Sequence, residues 1–109
     1  MPHMLFLSTT NTVEEARRIA RHLVDKRLVA CVNIVPSITS FYWWKEAVTE
    51  DQEVLLIIKT TAQNAEHLEK EIRAIHNYEV PELIGMEIAH GLPEYLKWID
   101  SSVTSNEKS

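Results

Sequence analysis

The chain has 109 residues, of which 45% are hydrophobic and 25% charged, with a formal net charge of −5; this is the composition of one soluble globular domain, residues 1–109, able to fold without disulfides or a structural metal. The acidic balance gives no electrostatic case for nucleic acid or for an anionic membrane surface, and no apolar run reaches membrane-spanning length. Cys31 is the only cysteine, so no intrachain disulfide can form; with no signal-peptide pattern, the expected location is the cytoplasm.

In chain order, residues 4–7 read as a short strand ending in the turn cluster Ser8-Thr9-Thr10-Asn11-Thr12. Thr12 and Glu15 have capping-box spacing, and Val13, Ala16, Ile19, Ala20, Leu23 and Val24 recur at helical period, which predicts an amphipathic helix over 13–27. The arginines on its outer side are diluted by acidic neighbours and read as a solvated face. Residues 28–44, LVACVNIVPSITSFYWW, carry no charge and are rich in β-branched and aromatic side chains, which predicts strand. Pro36 cannot donate to a sheet ladder, so the run is expected as two strand segments, 29–35 and 37–44, joined by a bend. Fully extended it would span about 50 Å, against about 22 Å for the preceding helix. Lys45, Glu46 and Ala47 turn the chain back into a strand over 48–60, without the usual Asn-Gly or Asp-Gly.

A second amphipathic helix is predicted over 61–75, with Ala65, Leu68, Ile72 and Ile75 on one face. The loop HNYEVP follows, then a strand over 83–89 and a short helix opened by Pro93. The polar tail from Ser101, and residues 103–109 above all, is expected to fray. This βαββαβ order predicts an α+β, ferredoxin-like sandwich with a C-terminal helix, its two main helices on one face of a four-stranded antiparallel sheet. Yet the strands are apolar on both faces: Leu55 and Ile57 alternate with Val54, Leu56 and Ile58 in the third. A monomer would leave the uncovered face in water, so that face is expected to be an assembly surface closed by rotational symmetry.

Residues able to carry chemistry are sparse. The five histidines have no recognised metal spacing, and two glycines supply no phosphate loop. Cys31 lies inside an apolar strand and is expected to be a buried structural thiol. Trp43 and Trp44, near a hairpin tip, are expected to pack on a neighbouring subunit, the other reading being stacking on a ligand. The loop 76–82 is different, because it gathers His76, Tyr78, Glu79 and Glu82 around Pro81 outside regular structure. A functional site and a rigid turn pinned by Tyr78 are both open there.

The segments RLVACVNIVPSITSFYWW, EVLLIIKT, HNYEVPEL and PEYLKWI, in this order between about Leu5 and Ile99, closely resemble the CutA family of divalent-cation-tolerance proteins. The resemblance implies a ferredoxin-like subunit, a tight homotrimer related in fold to the PII signalling proteins, a link to copper tolerance, and binding of copper or other divalent metal ions. In a bacterial member the implied copper ligands are a cysteine in the first strand and two adjacent histidines before the tyrosine loop. Here Ser8 stands at the cysteine position and Ile75 and His76 at the histidine pair. The site this implies holds a divalent ion through His76 with Glu79 or Glu82, or with groups of another subunit, since copper(I) prefers thiolate and imidazole together.

Two functions follow. One is a trimeric metal-responsive binding protein without enzymatic activity. The other is a PII-like module that takes a small ligand or protein partner in clefts between subunits, lined by Lys59, Tyr78, Glu79, Trp43 and Trp44. An acylphosphatase-type enzyme ranks last, because the Thr9–Thr12 turn offers hydroxyls but no arginine-bearing phosphate cradle.

Overall fold

The structure, a computed structural model, describes residues 2–104. Its elements are β1 (His3–Thr10), α1 (Val13–Asp25), β2 (Cys31–Trp44), β3 (Ala47–Thr61), α2 (Ala65–Ile75), β4 (Ile84–Glu87) and α3 (Pro93–Ser102). The strands form one sheet in the order β2-β3-β1-β4, with all three neighbouring pairs antiparallel. This is the ferredoxin-like βαββαβ arrangement with an added C-terminal helix. The predicted tail beyond Thr104 lies outside the described residues. Ser101 and Ser102 do not fray but complete α3, and the Thr104 amide donates to the Arg27 carbonyl at 2.9 Å.

Paired residues share a face of the sheet, so the register sorts the side chains. Phe6, Val54, Leu56 and Ile58 meet Ala16, Ile19 and Leu23 of α1 and Leu68 and Ile72 of α2 in one buried core. Leu5, Leu7, Leu55, Ile57, Ile84 and Met86 lie on the other face, and all stay partly or largely exposed in the single chain. The two-sided apolar pattern therefore has a covered side and an open side. Gly85 sits opposite Phe6, where an added Cβ would come within 2.4 Å of the ring, so only glycine lets that phenyl fill the core.

Several elements differ from expectation, and β1 runs on through Ser8–Thr10, where a turn was expected. The capping box is half made: Thr12 Oγ1 accepts from the Glu15 amide at 3.0 Å, while the Glu15 carboxylate accepts from Arg18. Helix α1 stops at Asp25 because Arg27 turns left-handed at φ 58. The Arg27 and Leu28 amides then donate back to Val24 and Leu23, which closes the helix end with a non-glycine residue. Strand β2 is continuous, and Pro36 is absorbed by a register shift between Val35 and Ile38. Lys45 and Glu46 both have positive φ, 49 and 68, between the paired residues Trp44 and Ala47, a two-residue type I′ turn. A 3-10 turn, Ala62–Asn64, precedes α2, and β4 is confined to Ile84–Glu87.

Candidate functional site

The loop after α2 is fastened to β1 and then to β3, and each fastening uses a polar side chain. His76 Nε2–H donates to the Thr9 carbonyl at 2.7 Å, and its Nδ1 accepts the Tyr78 amide at 3.0 Å. A neutral imidazole has one donor and one acceptor, so these two bonds fix its tautomer and occupy both nitrogens. The Tyr78 ring lies 4.7 Å from the imidazole, and its hydroxyl donates to Glu53 Oε2 at 2.7 Å. Ser8 Oγ donates to the Glu82 carbonyl at 2.7 Å. The loop is a brace between the end of β1 and the middle of β3.

Between this brace and the β2–β3 hairpin opens a cleft of about 820 Å³. Its walls include Phe41, Tyr42, Trp44 and Tyr78, and its polar lining includes Asp51, Glu53, Glu79 and Glu82. Among the described residues, no lysine, arginine or histidine lines it. The Tyr42 hydroxyl donates to Asp51, which holds its phenol proton and raises its pKa to about 12. Burial, then the bond to Glu53, pushes the Tyr78 phenol upward as well. Burial first and the charge of Glu53 second push the Glu82 carboxyl above its ordinary value, against a hydrogen bond from Thr9 that lowers it.

The structure brings together Tyr78, Glu79, Glu82 and Trp44 from the sequence-derived candidates. His76 stands behind the wall, committed to Thr9 and Tyr78. Trp43 is 73% exposed and is not part of the lining. Lys59 lies at the other end of β3, its Nζ 3.5 Å from the Tyr95 hydroxyl and 5.7 Å above that ring. Cys31 is only half-buried, because its register opposite Lys59 puts it on the open face rather than in the helix-covered core; its thiol faces Asn33 Oδ1 at 3.6 Å. Asp51, Glu53 and Tyr42 were missed. The one signal for them was the polar stretch TEDQE, which continues a strand otherwise apolar. Among the described residues, no group of three or more His, Cys, Asp or Glu is placed to hold a metal ion, and no helix is long and apolar enough to cross a membrane.

A ferredoxin-like α+β chain with an open apolar sheet face and an acidic, aromatic cleft is thus the class of molecule. The family model of the CutA1 divalent ion tolerance protein matches residues 4–102, and the chain belongs to that family. It is 50% identical over 93 residues to the divalent-cation tolerance protein CutA of Thermus thermophilus, covering 85% of this chain and 90% of that protein. The CutA protein of Archaeoglobus fulgidus is 40% identical, over 93% of this chain and 98% of the relative. The chain spans 58% of the Xenopus laevis CutA homologue, at 49% identity over 81% of its own length. Among solved structures, the Thermus thermophilus protein superposes with a TM-score of 0.90 at 45% identity, over 94% of this chain and 99% of the other. CutA1 from Oryza sativa gives 0.93 at 39% identity, over 95% of each chain.

Proposed function

We propose that this chain serves in the response to divalent metal ions as one subunit of a closed homotrimer, with the ion-binding groups completed between subunits. The observation that carries the assembly is the open sheet face: α1 and α2 lie on the other side, α3 reaches this face only at its Lys59 and His3 end, and Leu5, Leu7, Leu55, Ile57, Ile84 and Met86 all stay partly or largely exposed. At about 25 cal/mol per Å², covering such a face is strongly favourable even after the cost of association. The direct ion-binding role takes support from the relatives, which bear the name divalent-cation tolerance protein. Glu79 and Glu82 offer oxygen donors at the cleft, and oxygen-only sets suit harder divalent ions better than copper(I). His76 would join them only by giving up its bond to Thr9. Among the described residues no three such ligands gather in one chain, so in this reading the remaining donors are supplied by a neighbour.

Sedimentation equilibrium at micromolar concentration should give three times the 12.6 kDa subunit mass. Calorimetric titration with manganese(II) and copper(II) should show saturable binding that Ile57→Asp, placed on the open face, removes along with the trimer. A stable, folded monomer of the native chain would sink the assembly. Metal isotherms unchanged by Ile57→Asp would sink the inter-subunit site. The PII-like reading, a ligand module rather than a metal site, is favoured by one observation of its own, the aromatic walls of the cleft.

A further inference from the structure

We propose that the cleft between the β2–β3 hairpin and the 76–83 loop binds a small organic ammonium ion, taken up by Glu53 and Glu82 against the faces of Tyr42, Trp44 and Tyr78. Glu53 is the starting point. It is only 8% exposed, its one hydrogen bond comes from the Tyr78 hydroxyl onto Oε2, and no basic side chain is paired with it among the described residues. A carboxylate drawn that far out of water without a counter-cation is costly, and the cost is relieved when a cation arrives. The lining supplies none, since every charged residue in it is acidic. Lys45 Nζ stands 5.7 Å from the Trp44 ring without joining the lining, so a cation at Glu53 comes from outside the described residues.

The walls decide what sort of cation. A volume of about 820 Å³ is far more than a bare ion fills and lies in the range of small-molecule sites. Aromatic faces attract alkylammonium groups through the ring quadrupole, and they give a metal ion no donor. Tyr42 and Tyr78 keep their phenol protons, each spent on a carboxylate, so their rings stay neutral and face-on contact is left as their contribution. Asp51 and Glu53 each accept one tyrosine hydroxyl, and of the two Glu53 is the more buried; Glu82 lies close enough for the Glu53 charge to act on it. The geometry thus combines a buried carboxylate that has a tyrosine but no basic side chain for a partner, a second carboxylate beside it, and several aromatic side chains. This goes beyond the metal reading and does not rest on the trimer, because all of these groups belong to one chain.

The test uses the native protein in EDTA, so that metal binding is silent, and two probes of nearly the same shape: choline and its neutral isostere 3,3-dimethyl-1-butanol. Choline should bind at least tenfold more tightly than the alcohol by calorimetry. Glu53→Gln, which still accepts from Tyr78, should erase that preference; Glu82→Gln, at a less buried position, should reduce it and serves if the first variant folds poorly. Trp44→Leu, at the cleft rim, should weaken choline several-fold. Equal affinity for the two probes would overturn the proposal, as would a choline preference that survives both carboxamide variants. Saturable metal binding without any choline preference would overturn it while leaving the metal reading intact.

Discussion

His76 shows how a side chain can look like a ligand and serve as a strut. Its two nitrogens join residue 9 to residue 78, and those bonds set the wall of the cleft. His76→Ala should therefore cost about 1–2 kcal/mol of stability, since it leaves a carbonyl and an amide without partners; a urea midpoint equal to that of the native protein would refute the strut. Glu82 gives a pH signature. Burial and Glu53 hold its carboxyl above the ordinary value, so the folded chain binds that proton more tightly than the unfolded chain does. Stability linked to this group is full below about pH 4.5 and is lost as pH rises through the higher folded value. Glu82→Gln should raise stability at pH 7, and the gain should vanish near pH 4, as denaturation at the two values would show. The loop was legible in the sequence because His, Tyr, Glu and Pro cluster there outside regular structure. Glu53 was not legible, because only the register reveals that it sits under Tyr78.

At the scale of elements, periodicity located the main helices and strands, while β2 is one strand and not two, β1 runs on through the expected turn residues Ser8–Thr10, and a left-handed residue ends α1 early. The turn at Lys45 and Glu46 puts two side-chain-bearing residues at positive φ, a conformation that costs each of them about 1 kcal/mol. Replacing them together, Lys45→Asn with Glu46→Gly, should stabilise the hairpin by about 1 kcal/mol, after allowing for the lost contact of Lys45 with the Trp44 ring. A lower thermal midpoint in the double variant would show that this contact outweighs the strain. Arg27 illustrates the same limit: nothing in RLVA announces a left-handed residue, so the helix was drawn to its position and not to Asp25. Pro36 was readable as an interruption, yet not as a bulge, since the difference lies in whether β3 keeps pairing on both sides of it.

The whole molecule follows from hydrophobic pattern more directly than the site does. Apolar residues on both faces of β3 foretold an open face, and the register put names to it. Cys31 lies on that same face, which makes its thiol a reporter of what covers the sheet. Labelling by a thiol reagent should be slow in the assembled protein and at least tenfold faster in Ile57→Asp at the same concentration, with circular dichroism unchanged. Equal rates would mean that the face around Cys31 stays open in the native protein.

The strand order also carries a consequence for biosynthesis. Strand β1 is made early but lies inside the sheet, with its partners at Val54 to Thr61 and Ile84 to Glu87. At the pace of a ribosome, about 5–20 residues per second, β1 waits on the order of ten seconds for its last neighbour. Until β3 is made, Leu5, Phe6 and Leu7 have no sheet to join; from then until β4 arrives the other edge of β1 stays unpaired, and the binding cleft has no back wall, because Thr9 and Glu53 precede the loop that braces them. A nascent chain stalled before residue 76 would thus offer a chaperone the open edge of an apolar strand, and would offer a ligand nothing.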